Sequence, residues 1–147
     1  MKTETIKFKR TNINAIIPTK GSENSAGFDL YACIAQSIFI NPHETKMIST
    51  GLAMELPEGT FGAIFPRSGI STKRGLAPAN KVGVCDSDYR GEYKVALHNH
   101  SEVTQWVNPG ERIAQLIIMP FVDVCFNEIN ELSETKRGDA GFGSTGK

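Results

Sequence analysis

The sequence predicts an all-β protein, and three features of the 147-residue chain support that prediction. Short stretches in which apolar and polar residues alternate recur at intervals of roughly eight to twelve residues. The 14 glycines and 7 prolines lie mostly between these stretches, where they favour turns. No segment of about ten residues keeps the period of an amphipathic helix. These features favour a sandwich, a barrel or a jelly roll.

The first predicted strands lie in the N-terminal half of the chain. Residues 6–9 alternate apolar residues with lysines, which is typical of an edge strand whose lysines face water. Pro57 and Gly59 predict a tight turn. Further strands are predicted on either side of it, at residues 28–32, 38–40, 46–56 and 61–65.

One short helical turn is predicted after Pro66. Ser68 would cap it, residues 70–73 would form it, and Gly75 would end it. The same stretch could receive an anion, because Arg67 offers a fork of donors and Ser68 a hydroxyl. A capped turn with a surface arginine is the more common structure, so these four residues alone decide nothing.

The stretch from residue 82 to residue 99 is predicted to form a β-hairpin. Alternating apolar residues flank a polar turn at residues 86–91, and Gly91 is expected to supply a left-handed backbone conformation. Asp86 and Tyr89 lie in this turn, where packing has least need of side chains.

The C-terminal part begins with strands and ends in a glycine-rich arm. Asn108, Pro109 and Gly110 predict a type II turn, and apolar stretches follow at residues 113–118 and, in alternation, at 122–126. From about residue 131 large apolar residues become rare. We therefore expect a β domain at residues 1–130 and an arm at residues 131–147.

Composition narrows the classes of partner. Sixteen basic residues balance sixteen acidic ones, so no global field favours nucleic acid or a membrane surface. No apolar run reaches membrane-spanning length. Cys33, Cys85 and Cys125 lack metal-binding or CxxC spacing, which favours reduced thiols. We expect a soluble, intracellular protein that binds no nucleic acid and no membrane.

Two further patterns attract attention. Gln115 interrupts an apolar run, and if Ile113 faces the core then Gln115 should too, so that it needs a backbone partner or a ligand. His98 and His100 share a strand face, but no evident third ligand completes a zinc site, and a nuclease motif is not spaced this way. Neither a metal nor a nuclease role is favoured there.

Five stretches, taken in order, resemble the motifs of the trimeric dUTPase family, and in character its poxvirus branch. They are SAGFDLYA (25–32), PRSG (66–69), GVCDSDYRGEYKVALHN (83–99), GERIAQLI (110–117) and RGDAGFGSTG (137–146). The resemblance implies a jelly-roll subunit, or distorted β-barrel, that assembles as a homotrimer. It also implies Mg²⁺-dependent hydrolysis of dUTP to dUMP and pyrophosphate, which lowers dUTP and supplies dUMP for thymidylate synthesis.

The resemblance assigns roles to residues at the predicted hairpin. Asp86 matches the general base that holds the water attacking the α-phosphorus. Tyr89 matches the ring that lies against the deoxyribose and excludes a 2′-hydroxyl. Main-chain groups in this region would read uracil, namely those around Asn80, Gly83, Val84, Cys85 and Lys94.

Other matching residues would handle the phosphates. Ser68 would lie near the leaving oxygen, and Asp29 would reach the metal through water. The arm would cross to a neighbouring subunit, where Phe142 covers the base. Phosphate contacts would come from Arg67, Ser68, Gly69, Gln115, Arg137, Gly143, Ser144 and Thr145.

The arm departs from the family pattern at Asp139 and Ala140, where a small neutral residue followed by glycine is usual. A carboxylate beside a triphosphate predicts slower or weaker closure. Two alternatives to a diphosphatase stay open: a deaminase acting on dCTP, and a non-catalytic trimer that senses nucleotides or binds a partner through the same pocket.

Overall fold

The computed structural model describes residues 4–141, which form eleven strands and one short helix. The helix is α1 (Ser68–Arg74). The strands are β1 (Lys7–Arg10), β2 (Thr19–Lys20), β3 (Phe28–Tyr31), β4 (Ile38–Ile40), β5 (Thr45–Glu55), β6 (Thr60–Phe65), β7 (Leu76–Pro78), β8 (Gly83–Asp86), β9 (Glu92–Asn99), β10 (Gln105–Val107) and β11 (Arg112–Pro120). Within these residues, no helix is long and apolar enough to span a membrane.

Two antiparallel sheets enclose the core. The four-stranded sheet has the order β1-β5-β9-β7 and the five-stranded sheet the order β2-β3-β11-β6-β8, while β4 and β10 form a separate pair. The buried cluster draws side chains from both sheets, among them Leu30, Ile48, Ile64, Val95 and Leu116. Burial of apolar side chains between the sheets is the main stabilising contribution in such a fold. The predicted all-β class is confirmed.

Local turn signals predicted several elements correctly. Strand β1 lies at a sheet edge with its lysines exposed. Gly59 has a φ of 74° in the turn before β6, and Gly110 has a φ of 71° where Glu111 N donates to Asn108 O over 3.1 Å. That bond and the left-handed glycine together define the predicted type II turn.

The helix is confirmed, but its predicted cap is wrong. Ser68 is the first helical residue, and Arg67 occupies the N-cap position without a side-chain capping bond. The Ser68 carbonyl already accepts a hydrogen bond from Thr72 Oγ1 at 2.6 Å. Gly75 ends the helix with a φ of 68°, as its sequence position predicted.

The predicted hairpin is wrong as a strand pair. Strand β8 pairs with β6, whereas β9 pairs with β5 and β7, so the two strands belong to different sheets. The connecting turn is long enough to cross between the sheets. Tyr93, Val95 and Leu97 of β9 are buried on the opposite side of the core. The strands diverge from the turn.

The predicted alternation beyond Pro120 forms no strand within the described residues. Pro120 is the last residue of β11 to pair with β6, opposite Thr60. Beyond it, Val122 is 82% exposed and Phe126 fully exposed. The apolar pattern is present, but this part of the chain offers it no partner strand.

Candidate active site

The divergence of β8 and β9 opens a hollow of 330 Å³, which we call the β8–β9 hollow. This volume lies at the lower end of the range for small-molecule sites. Because β8 is an edge strand, main-chain donors and acceptors on its outer side are not used by the sheet. The hollow is lined by Met47, Val84, Cys85, Asp86, Tyr89, Glu92, Tyr93 and Lys94.

Asp86 is the last residue of β8 and presents an exposed carboxylate at the hollow. Its carbonyl accepts a hydrogen bond from Tyr89 N at 3.1 Å, which closes the turn. Within residues 4–141 its carboxylate forms no ion pair. This carboxylate is therefore free to accept a hydrogen bond from a water molecule.

Tyr89 lies over the backbone of the same turn and is 45% exposed. Its hydroxyl donates to Glu92 O at 3.2 Å. The left-handed conformation expected for Gly91 is wrong, since Gly91 is not among the residues with positive φ. A Cβ on Gly91 would instead lie 2.3 Å from Tyr89 Oη. The ring can occupy this position only because residue 91 has no side chain.

The start of β8 brings two predicted site residues together. Gly83 is buried, and a Cβ there would lie 3.3 Å from both Asn80 Nδ2 and Ile64 Cβ. Asn80 O accepts from Val82 N at 2.7 Å in the preceding turn. Asn80 and Gly83 thus adjoin at the beginning of the strand that leads into the hollow.

Cys85 and Tyr93 are two titratable groups in the lining of this hollow. Burial, and to a lesser degree the Asp86 charge, raises the pKa of the Cys85 thiol to about 11. Burial also raises the pKa of Tyr93, which is 1% exposed. Both groups therefore stay protonated near neutral pH, and Cys85 is a poor nucleophile there.

A second, polar hollow of 200 Å³ lies where β3, β11 and α1 meet; we call it the Arg67 hollow. The 8%-exposed Asp29 organises it. Arg67 Nε donates to Asp29 Oδ1 at 2.6 Å, and Arg112 Nη1 donates to Asp29 Oδ2 at 3.2 Å. Two guanidinium groups on one carboxylate leave a net positive charge, which suits an anion. The lining is Gly21, Ser25, Gly27, Asp29, Arg67, Ser68, Gly69, Arg112 and Gln115.

Gln115 projects into the Arg67 hollow and not into the core. A register irregularity between Arg112 and Ala114 lets both Ile113 and Ala114 face inward, so the predicted sharing of a face by Ile113 and Gln115 is wrong. Gln115 Nε2 donates to Pro66 O at 2.9 Å. A Cβ on Gly27 would lie 2.4 Å from Gln115 Oε1, so this glycine provides the space for the amide.

Sequence reasoning missed Arg112, Gly27 and Glu92. Arg112 could have been found as the charged residue that opens the run containing Gln115, but nothing in the sequence relates Glu92 to the opposite strand. The histidine pair surrounds a structural residue: Asn99 is fully buried and its amide donates to Ile40 O and Val103 O.

The predicted arm residues line neither hollow as far as residue 141. Arg137 Nε donates to Ala140 O at 2.8 Å, a bond within the arm itself. Residues 121–139 are exposed throughout. Four predicted site residues lie outside the described residues, namely Phe142, Gly143, Ser144 and Thr145.

The two hollows lie at opposite ends of β6. Asp86 pairs with Phe61 at one end and Gln115 pairs with Phe65 at the other. These positions are four residues apart along the strand, a distance of roughly 13 Å. The Asp86 carboxylate and the side chains of the Arg67 hollow are therefore well separated within one chain.

Comparison with known proteins places this geometry in a family. A family model described as dUTPase matches residues 13–146. The deoxyuridine 5′-triphosphate nucleotidohydrolase of Nautilia profundicola is 46% identical over 97% of this chain and 99% of its own length. The protein of the same name from Syntrophotalea carbinolica is 41% identical over 99% of both chains.

A solved dUTPase structure shares the fold of this chain. The Staphylococcus bacteriophage 80alpha dUTPase with dUpNHpp superposes with a TM-score of 0.90 at 28% identity, covering 99% of this chain and 100% of the phage chain. The two relatives above are bacterial, so the expected similarity to the poxvirus branch stays a prediction. The family match, the near full-length relatives and the shared fold establish that this chain belongs to the dUTPase family.

Proposed function

We propose that the protein is a dUTP diphosphatase that hydrolyses dUTP to dUMP and pyrophosphate. The near full-length relatives carry the name of that activity, and the phage structure holds the dUTP analogue dUpNHpp. The observation that carries the proposal is the placement of Asp86 at the rim of the β8–β9 hollow, with a carboxylate that forms no ion pair within residues 4–141. Turnover would lower dUTP and supply dUMP for thymidylate synthesis.

The nucleoside occupies the β8–β9 hollow in this proposal. Main-chain N–H and C=O groups near Val84, Cys85 and Lys94 complement O4, N3–H and O2 of uracil, with Asn80 and Gly83 at the start of the strand. Cytosine would place donor against donor, and unpaired polar groups are a strong basis for rejection. Tyr89 lies against the deoxyribose, where a 2′-hydroxyl would collide with the ring.

The phosphates bind the Arg67 hollow. Arg67 and Gln115 contribute side-chain donors, and Ser68 and Gly69 contribute a hydroxyl and exposed main chain at the start of α1. The Asp29 carboxylate fixes the guanidinium of Arg67 in place before the substrate arrives. Such preorganised donors stabilise charge without reorganising during the reaction.

The reaction is an in-line displacement at the α-phosphorus. Asp86 holds a water molecule and accepts its proton as the new oxygen–phosphorus bond forms. The bond from the α-phosphorus to the oxygen that bridges to the β-phosphorus breaks, and that oxygen leaves with pyrophosphate. Ser68 lies near the leaving oxygen. Arg137 and the residues that follow it supply further charge and cover when the arm closes.

Members of this family use a divalent metal, and we assign Mg²⁺ to this chain. Within residues 4–141 no three His, Cys, Asp or Glu side chains are grouped to hold an ion. Mg²⁺ commonly binds through substrate phosphates and retained waters, which fits this arrangement. Each Asp29 oxygen accepts one guanidinium bond, which leaves acceptor sites for a metal-bound water. Mg²⁺ would neutralise phosphate charge there.

A homotrimer is the assembly that best accounts for the separated hollows. Neighbouring copies would place the β8–β9 hollow of one chain beside the Arg67 hollow of another. The segment after Pro120 supports this arrangement, since Phe121, Val122, Val124 and Phe126 are apolar and exposed. A neighbouring copy would cover them and receive the catalytic arm at residues 131–147.

One assay tests the proposed reaction against its rivals. Purified protein is incubated with dUTP or dCTP, with and without Mg²⁺, while pyrophosphate and ammonia are measured. We expect pyrophosphate from dUTP alone, with Mg²⁺ required for full rate. Ammonia from dCTP would identify a deaminase instead, and nucleotide binding without either product would identify a non-catalytic binder.

A further inference from the structure

We infer that Gly91 and Glu92 position the Tyr89 ring and thereby set how strongly the enzyme rejects ribonucleotides. The proposed reaction assigns neither residue a contact with the nucleotide, and although Glu92 lines the β8–β9 hollow we expect both to act through Tyr89. The inference rests on the proposed function, in which that ring lies against the deoxyribose.

Gly91 provides the surface on which the ring rests. A Cβ at this position would lie 2.3 Å from Tyr89 Oη, 2.4 Å from Cζ and 2.8 Å from Cε2. Ordinary contacts begin at 3.4 Å, so alanine would displace the ring by about an ångström. The backbone of Gly91 is not left-handed and would itself accept alanine. Space for the Tyr89 ring is therefore what requires a glycine here.

Glu92 holds the hydroxyl end of the same ring. Its carbonyl accepts the Tyr89 hydroxyl, and its own side chain fixes that carbonyl to strand β5: Glu92 Oε1 accepts from Gly51 N at 2.8 Å. This side-chain bond lies where the ladder between β5 and β9 is interrupted, because the register shifts between Ser49 and Ala53.

A second hydrogen bond joins β5 and β9 at the same interruption of the ladder. The hydroxyl of Thr50 donates to Tyr93 O at 2.5 Å in the buried interior. The first two residues of β9 are thus tied to β5 by side-chain bonds where the ladder is irregular, and Glu92 also pairs with Ala53. The turn that carries Tyr89 leads directly into the start of β9, which these bonds hold in place. Glu92 therefore determines where the Tyr89 hydroxyl is held.

Displacing the ring affects the two substrates unequally. The steric barrier against a 2′-hydroxyl depends on the ring position, and shifts of about an ångström can change rates by orders of magnitude. dUTP has no hydroxyl at that carbon and loses only ring contact. The ratio of kcat/KM for dUTP to that for UTP is therefore the quantity that reports on Gly91 and Glu92.

The first test compares Gly91→Ala with the parent enzyme. We expect the dUTP/UTP ratio to fall by at least about tenfold, mainly because UTP is accepted. Thermal unfolding of each variant confirms that it is folded. A folded Gly91→Ala enzyme that keeps the parental ratio overturns the inference.

A double-mutant cycle shows whether Gly91 acts through the ring. In a Tyr89→Ala background, Gly91→Ala should change the ratio no further, since the group that it displaces is gone. Additive effects of the two substitutions would contradict a positioning role.

The substitutions at Glu92 include a conservative control. Glu92→Gln keeps an oxygen acceptor for Gly51 N and should hold the ratio within about twofold, whereas Glu92→Ala should lower it as Gly91→Ala does. Equal losses in both Glu92 variants would contradict the inference. If Gly91→Ala does not fold, this pair decides the outcome.

Assays of the parent enzyme distinguish failure of the proposed function from failure of the positioning role of Gly91 and Glu92. If it does not hydrolyse dUTP, the proposed function fails. If it hydrolyses dUTP and rejects UTP, but no variant changes that preference, only the role of Gly91 and Glu92 fails.

Discussion

Arg67 Nε donates to Asp29 Oδ1 at 2.6 Å, and this pair connects the helix start to strand β3. The second oxygen of the same carboxylate accepts from Arg112. Asp29 is thus the element of the Arg67 hollow that keeps two like charges close together and oriented. Its removal should affect both stability and phosphate binding.

Asp29→Asn is expected to lower the free energy of unfolding by about 2–3 kcal/mol, because the buried Asp29 carboxylate is the common counter-charge of Arg67 and the half-exposed Arg112. KM for dUTP should rise at least about tenfold, since Arg67 is no longer fixed. Thermal unfolding and steady-state kinetics measure the two effects. Asp88→Asn is the control, as Asp88 is exposed and lines neither hollow. An Asp29→Asn enzyme with parental KM would exclude the anchoring role.

Asp86→Asn should retain nucleotide binding and lose turnover. The amide keeps the shape of the side chain but cannot take a proton from water, and general-base catalysis contributes roughly 10²- to 10⁴-fold. Calorimetry with dUMP should give an affinity close to the parent's, while kcat falls by that factor. Unchanged kcat would show that another group is the base.

Tyr93→Phe should leave stability unchanged or raise it by about 1 kcal/mol. Tyr93 Oη is buried and has no hydrogen-bond partner among the residues that the structure describes, and such a group carries an uncompensated desolvation cost. Denaturant unfolding measures the difference. Tyr31→Phe is the matched control, because it removes a bond of 2.6 Å to Thr19. A clear loss of stability in Tyr93→Phe would mean that its hydroxyl is satisfied in solution.

Ending the chain at Thr135 should spare dUMP binding and abolish most hydrolysis of dUTP. The removed residues include Arg137, whose guanidinium contacts only Ala140 among the described residues and is otherwise available for phosphate. Arg137→Ala should reproduce part of the loss, and Lys136→Ala serves as its control. A truncated enzyme that turns over at the parental rate would remove the arm from the mechanism.

Sequence reasoning succeeded where structure is decided locally. Gly75 and Gly110 each sit at the left-handed position that their neighbours predicted, whereas the turn predicted at Leu56–Gly59 lies one residue later, with Thr60 N donating to Pro57 O. Such positions depend on a few consecutive residues, so no knowledge of the remaining fold is needed. Alternation likewise located most strands, because period-2 patterns report on one buried face.

Sequence reasoning failed where a distant partner decides the outcome. The pattern around residues 82–99 suits a hairpin, but pairing of β8 with β6 and of β9 with β5 prevailed over local pairing. One irregularity beside Ile113 was enough to direct Gln115 into the Arg67 hollow. Neither a pairing partner nor a bulge leaves a reliable signal in one strand's own residues.

In the candidate site, too, sequence patterns identified single residues but not their arrangement in space. Asp86, Arg67 and Gln115 could be selected because ordered motifs contain them. Their distribution between two hollows at opposite ends of β6 emerged only from strand register. Gly27 and Gly91 could not be assigned from sequence either, because their function is to leave space for Gln115 and Tyr89.

A crystal structure of this protein with dUpNHpp and Mg²⁺ tests the central claim most directly. We expect the uracil ring to lie between the outer edge of β8 and Lys94, with a water on Asp86 in line with the α-phosphorus. A nucleotide whose base lies outside the β8–β9 hollow, or whose α-phosphorus lies beyond the reach of any water on Asp86, would contradict it.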